Sequence, residues 1–320
     1  MKIISFFLIL FTALLSFQCN HDAQPVFLFS YFKGNGEDGL HLASSKDGLK
    51  WQALNNDQSF LKPEVGNDKL MRDPCIISDS EGTFHMVWTV SWNEKGIGYA
   101  SSQDLIHWSE QKYIPVMEHE EGARNCWAPE LFYDDQKGQF LICWATTIPG
   151  RFPETDDQDN RGNVGKGYNH RMYYVTTKDF ETFSETRLFY DHGFNVIDAT
   201  IVKDGNEYIM FLKDESNEPL TPQKNIRIAK SNSARGPYSA ASQPISGDYW
   251  AEGPTAIKVG GTWHLYFDKY IIKKYGLLVS DDLQNWTEKS DSLEYPGGMR
   301  HGTVFRASTE ILNGLWSYQP

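Results

Sequence analysis

One short pattern recurs five times along the chain: SSKDGLKW (44–51), SSQDLIHW (101–108), TTKDFETF (176–183), SNSARGPY (231–238) and SDDLQNW (280–286). Each is a polar turn followed by an aromatic residue, and the spacing is about 50 to 75 residues. A second pattern precedes each of the last four: a short apolar run, a Gly- or Asp-rich turn, then an aromatic-rich run. The examples are DPCIISDSEGTFHMVWT (73–89), APELFYDDQKGQFLICWAT (128–146), DATIVKDGNEYIMFLKD (198–214) and GPTAIKVGGTWHLYFDK (253–269). Alternation with period two, β-branched and aromatic enrichment, and turn punctuation predict strands. No amphipathic helix is expected beyond the N-terminal apolar run. Each repeat reads as four strands, A to D, and four-stranded units at this period specify a β-propeller. The expected fold is therefore all-β, with five blades.

The first repeat, VFLFSYFKGNGEDGLHLASSKDGLKWQAL (26–54), has B, C and D strands but no A strand. RHGTVFRAS (300–308) is an A strand with nothing after it to complete a blade. The missing and surplus pieces match, so the C-terminal strand 300–308 is expected to pair with the N-terminal blade and close the ring. A stray edge strand in a β-sandwich would leave that match unexplained. The propeller should occupy 26–308, with 309–320 as a tail.

Aligning the A strands (RDPCII, WAPELF, IDATIV, EGPTAI and RHGTVF) puts Asp73, Ala128, Asp198, Gly253 and His301 in one column. Glu252 stands one position earlier, level with Arg72, Trp127, Ile197 and Arg300. Inner strands of a propeller run parallel around a central channel, so Asp73, Asp198, Glu252 and His301 should converge at one mouth. The A–B turns are short, whereas the B–C loops are long and varied, 146–171 and 213–225 above all. Parity puts those loops on the same face as the acids, and loops are where function is usually placed. Taken singly, Asp73 before Pro74 reads as a turn residue, Asp198 as a strand-end cap and Glu252 as a solvated acid. Three acids crowded at the dry centre of a ring repel one another and resist ionisation, a costly arrangement for structure alone.

Two carboxylates flanking a bond are the apparatus of glycoside hydrolysis, one protonated and one ionised. Asp198 is placed to keep Glu252 protonated as general acid. Asp73, beside Arg72, is placed to stay ionised and activate water.

The five motifs RDP (72–74), WAPE (127–130), IDAT (197–200), AEGP (251–254) and RHG (300–302) together resemble the family 43 glycoside hydrolases, over about residues 26 to 308. The resemblance implies a five-bladed propeller and an inverting, exo-acting enzyme releasing terminal sugars. It favours α-L-arabinofuranose, with β-galactofuranose, β-xylose or β-galactose as alternatives. It implies Asp73 as base, Asp198 as pKa modulator, Glu252 as acid, and His301 near a bound ion, Ca2+ or another, in the channel. No cofactor is otherwise required. The chain departs from many members in placing a B–C–D segment before the base. Fructan-cleaving propellers share RDP but need an Asn-Asp-Pro motif in the opening strand, which VFLFSYFKGNG (26–36) lacks, so a fructosidase is the lesser alternative. A non-catalytic surface glycan-binding propeller is another, and the presence of all three acids argues against it.

Around this centre, Trp92 and Trp127 are candidates for stacking on a sugar ring, although Trp127 equally suits packing between blades. Arg72 and Arg300 are candidates to hold substrate or balance the acids. Glu130, level with Cys75, Thr200, Thr255 and Thr303, is expected deeper in the channel as a hydrogen-bonding support. The C–D aromatics Trp51, Trp108, Phe183, Tyr238 and Trp286 are expected to be blade packing.

The remaining features concern surroundings. Residues 1–18 read as a lipoprotein-type signal peptide, with Lys2, an apolar run, and Cys19 as the lipidated residue of a short tether over 19–25. A membrane anchor helix is the other reading of that run. Export to the periplasm or cell surface follows, with the membrane reached only through Cys19. The net charge is −12 over 320 residues, about −13 without Lys2. That argues against nucleic acid, whose phosphates demand basic residues, and suits a neutral oligo- or polysaccharide. A monomer is expected. Cys75, Cys126 and Cys143 form neither an even disulfide framework nor a zinc spacing and read as buried free thiols.

Overall fold

The computed structural model describes residues 26–158 and 167–318. The signal peptide (1–18), Cys19 and the tether (19–25) lie outside the described residues, as does 159–166 of the long B–C loop. Among the described residues, no helix is long and apolar enough to cross a membrane.

The chain builds five antiparallel sheets in sequence order. The first holds β1 (Val26–Tyr31), β2 (His41–Ser45) and β3 (Gln52–Ala53). The second is β4 (Arg72–Ser78), β5 (Phe84–Thr89), β6 (Ile97–Ser102) and β7 (Lys112–Ile114). The third is β8 (Trp127–Asp134), β9 (Gln139–Thr146), β10 (Arg171–Thr177) and β11 (Arg187–Tyr190). Then come β12 (Val196–Asp204), β13 (Glu207–Asp214) and β14 (Asn225–Ser231), and after them β15 (Glu252–Val259), β16 (Thr262–Lys269), β17 (Lys274–Ser280) and β18 (Thr287–Glu288). Finally β19 (Thr303–Ala307) returns to the first sheet as its inner strand, antiparallel to β1 from Val26↔Ala307 to Ser30↔Thr303. The inner strands touch in the cyclic order β4, β8, β12, β15, β19 and back to β4. This is the expected five-bladed propeller, closed as the unmatched first and last pieces required.

The turn motif repeats because it satisfies its own backbone. In four blades a Ser or Thr hydroxyl accepts the amide three residues on: Ser45 from Gly48, Ser102 from Leu105, Thr177 from Phe180 and Ser280 from Leu283. The aspartate two positions later accepts the next two amides, as Asp104 does from Ile106 and His107 at 2.9 and 2.7 Å. Such side-chain turns need no partner elsewhere. The aromatic that follows drops into the space between blades. Trp108, Phe183, Tyr238, Trp51 and Trp286 each join a different one of the five apolar clusters that make up the core. The B strands β5, β13 and β16 lie between two neighbouring blades and are buried on both faces, which explains runs such as FHMVWT with little polar alternation.

Two features differ from the sequence expectation. The fourth repeat has three strands, not four. Residues 239–245 run beside β14, but only Ser239, Ser242 and Ile245 give backbone amides to it, and the hydroxyls of Ser239, Ser242 and Ser246 accept the amides of Lys230, Ile228 and Ile226 in place of carbonyls. Pro244 has no amide to give. The tail also contains a helix, α1 (Thr309–Ser317), capped by the Ser308 hydroxyl on the Ile311 amide. Its Leu312 and Leu315 belong to the same apolar cluster as Val26, Leu28, Phe305 and Ala307, which flank the seam of the ring.

Candidate active site

A bulge at the start of four of the five inner strands shapes the site. Pairing slips between Arg72 and Cys75, Trp127 and Glu130, Ile197 and Thr200, and Glu252 and Thr255. At each slip the aligned column residue adopts a left-handed backbone: Asp73 (φ 51°), Ala128 (44°), Asp198 (52°) and Gly253 (60°). For a non-glycine residue this conformation is uncommon and costs about 1 kcal/mol or more. A bulge re-aims the side chain it carries. At β4 and β12 that side chain is a carboxylate turned into the channel.

The carboxylates open into a cavity of about 500 Å³ on the face where the inner strands begin. Asp73, Asp198, Glu252, Arg72, Trp92, Trp127, Arg300 and His301 all line it. Residues of the B–C loops, Asn35, Tyr168, His170, Glu215 and Tyr270 among them, complete the wall.

Asp73 accepts a hydrogen bond from the Thr89 hydroxyl (2.9 Å), which itself accepts the Ala128 amide (2.8 Å). Its other oxygen lies 3.4 Å from His301 Nδ1. Burial pushes the Asp73 carboxyl up, but the bond to His301, the charges of His301 and Arg72 and the Thr89 bond outweigh it and hold the group down at about 2. Asp198 accepts the Gly253 amide at 3.0 Å and faces His301 Nδ1 at 4.0 Å. Burial and the negative charges of Glu252 and Asp73 raise it to about 6 against the pull of His301 and Lys213. His301, disfavoured as a cation by burial, is nevertheless pushed up to about 9 by Asp198 and Asp73. One buried imidazolium thus sits between two of the acids.

Glu252 is held through both oxygens, by Lys213 at 3.0 Å and Arg300 at 3.2 Å. Lys213 is buried, over the Tyr270 ring, and also meets Glu215 at 2.6 Å. Arg300 gives its Nε to buried Asp268 at 2.6 Å, a carboxyl pushed up to about 6 by burial and by Glu252. Arg300 is therefore committed to the acids. Arg72 stacks over Trp92 (4.3 Å) and Phe32 (4.7 Å). Trp127 stacks on Tyr168, meets Trp92 edge-on, and lines the cavity. His170 is buried beside Trp127, its Nδ1 paired with Asn195 Oδ1.

Glu130 lies below, outside the cavity wall. Cys75 and Thr200 donate to one oxygen (3.3 and 3.1 Å) and Thr303 to the other (3.3 Å), while burial raises it to about 7. Cys75, Cys126 and Cys143 are free, buried thiols.

His301 is the imidazole at the channel mouth, its Nδ1 turned toward Asp73 and Asp198. Among the described residues, no three His, Cys, Asp or Glu side chains are grouped to hold a metal.

Lys213, Asp268, Glu215 and Asn35 were not singled out from the sequence. They sit on B strands and B–C loops, where the repeat supplies no aligned column; the two Lys–Asp/Glu pairs KDE (213–215) and DK (268–269) at the ends of B strands were the available signal.

A family description for a probable glycosyl hydrolase domain, of the group related to family 43, matches residues 22–311. An α-L-arabinofuranosidase of Bifidobacterium longum is 23% identical over 259 residues, covering 70% of this chain and 24% of that protein, so the chain spans about a quarter of its length. In structure the chain resembles an α-L-arabinanase from Cellvibrio cellulosa (TM-score 0.55, 15% identity, 86% of this chain and 95% of that one). It also resembles an α-L-arabinofuranosidase from Lactobacillus brevis (TM-score 0.51, 19% identity, 69% and 72%). Both support the propeller fold.

Proposed function

The chain belongs to the family of probable glycosyl hydrolase domains related to family 43, and we propose that it is a glycosidase, an inverting, exo-acting enzyme that removes terminal α-L-arabinofuranose from glycans. The observation that carries this reading is geometric: Asp73, Asp198 and Glu252 line one cavity, with His301 Nδ1 3.4 Å from Asp73 and 4.0 Å from Asp198. Those surroundings hold the Asp73 carboxyl low and push Asp198 up.

In this reading Asp73 accepts a proton from a water as that water attacks the anomeric carbon. Glu252 gives its proton to the glycosidic oxygen on the opposite side, and the carbon–oxygen bond breaks with inversion. Asp198, which feels the negative charges of both Glu252 and Asp73, biases the ionisation of its neighbours. Trp92 and Trp127 offer flat faces to the sugar. A wall built by B–C loops around the mouth suits a chain end better than a chain interior, and the arabinofuranosidase relative supports the choice of glycone.

The test is turnover of aryl glycosides of α-L-arabinofuranose, β-D-galactofuranose, β-D-xylose and β-D-galactopyranose by the chain and its Asp73→Asn variant, with the anomer of the released sugar followed by NMR. The expected result is release from the arabinofuranoside with inversion, lost by about 10³-fold or more in the variant. Retention of configuration, or a variant as active as the parent, would sink the mechanism. Turnover of another sugar alone would replace the glycone.

A further inference from the structure

Asn35 lies in the loop between β1 and β2 and lines the cavity beside Arg72, Asp73 and Trp92. Its side-chain oxygen accepts two hydrogen bonds, from Arg72 Nη1 at 2.9 Å and Trp92 Nε1 at 3.0 Å. Guanidinium and indole are donors only. An amide turned the other way would set its own N–H groups against both, so the oxygen must face them. The orientation of the nitrogen is fixed as a consequence. Two N–H groups remain on Nδ2, with no hydrogen bond to any described residue, on a half-buried side chain in the wall of a sugar-sized cavity. Arg72 is itself pinned over Trp92 and Phe32, so the frame holding the amide is rigid.

We propose that Asn35 is a specificity-determining residue that donates a hydrogen bond from Nδ2 to one hydroxyl of the bound glycone. This rests on the arabinofuranosidase reading for its choice of probe. A pre-aimed donor selects for an acceptor at one position of the sugar, because a substrate without it leaves the amide unpaired in a desolvated pocket. The residue acts on binding and not on proton transfer, since an amide neither gives up nor takes a proton in this pH range.

The experiment measures kcat/KM for p-nitrophenyl α-L-arabinofuranoside and each of its monodeoxy analogues on the parent chain, Asn35→Ala and Asn35→Asp. The aspartate keeps an acceptor for Arg72 and Trp92 but has no N–H. On the parent chain one deoxy analogue should fall about tenfold further behind the full substrate than it does on either variant. Both variants should discriminate at that position no longer, while still ranking the other analogues as the parent does.

The proposal is overturned if Asn35→Ala lowers all substrates by one factor and Asn35→Asp restores them, since Asn35 then only holds Arg72 in place. It is equally overturned if neither variant changes the ranking. If no glycoside is turned over, the function proposed above fails, and the same comparison is made on Kd for methyl α-L-arabinofuranoside and its deoxy analogues by quenching of Trp92 and Trp127 fluorescence. A discrimination lost in both variants still supports the role of Asn35, and absence of any binding refutes it.

Discussion

Replacing His301 by glutamine removes the one cation lodged between Asp73 and Asp198, and the consequence can be worked from the geometry. In the folded chain His301 is pushed up to about 9 from an ordinary 6.5. A basic group raised on folding stabilises fully below its unfolded value and loses that contribution as pH climbs through its folded value. The gap corresponds to ~3 kcal/mol, present at about pH 6 and gone above about pH 9.5. Glu130 and Asp198, pushed up to about 7 and about 6, change charge lower down, so they leave the upper part of this window clear. Urea unfolding of the parent chain across the window should show the loss, and His301→Gln should show a flatter profile with lower stability at the acid end. The same substitution frees Asp73 from a charge 3.4 Å away. An opposite charge at such range lowers a carboxyl by about 1–3 pH units, so the acidic limb of kcat/KM should move up by that much. Parallel stability curves for the two proteins, or an unmoved acidic limb, would refute the account of His301 as a buried imidazolium.

Other perturbations follow from the same contacts. Gly253→Ala places a Cβ 2.4 Å from the His301 ring at a φ of +60°, and should cost at least about 2 kcal/mol with a lowered Tm. Lys213→Met strips a buried ammonium from Glu215 and Glu252, and should cost about 3–5 kcal/mol in chemical unfolding; loss below about 1 kcal/mol would show that Arg300 and Lys224 suffice. Leu315→Ala, on the helix across the seam, should cost about 2–4 kcal/mol while leaving kcat/KM unchanged, since it touches nothing in the cavity.

The fold was legible because each blade solves the same local problem with the same residues. A hydroxyl, an aspartate and an aromatic mark every C–D turn but one, and the exception, SNSARGPY, belongs to the blade that lost its outer strand. That loss was not legible, since a serine hydroxyl replacing a carbonyl leaves no periodic trace. The acids could be placed because inner strands are parallel and in phase, so a sequence column is a ring in space. The bulge that turns Asp73 and Asp198 inward lies in the same column, yet a left-handed aspartate looks like any other before the backbone is seen. The partners of the acids were hidden for a different reason. Lys213 and Asp268 reach Glu252 and Arg300 from strands whose pattern reports burial between blades, and Asn35 reaches Arg72 from a B–C loop whose sequence is not repeated in the other blades. Helix α1 is nine residues with a glycine inside it, too short and too broken to announce itself.

The seam between β1 and β19 also decides how the ring would respond to force. The two strands are antiparallel, and Val26 and Ala307 lie side by side at the end facing away from the mouth. Tension applied at these two residues in opposite directions loads one bridge at a time, peeling the seam like a zipper from the far face toward the acids, instead of straining all five paired positions at once. Helix α1 braces the far end through Leu312 and Leu315, and once it is pulled away the remaining seam should open at little force. The last rungs to give way, Ser30 with Thr303, adjoin His301, so a partly opened ring keeps its chemistry until the peel is almost complete.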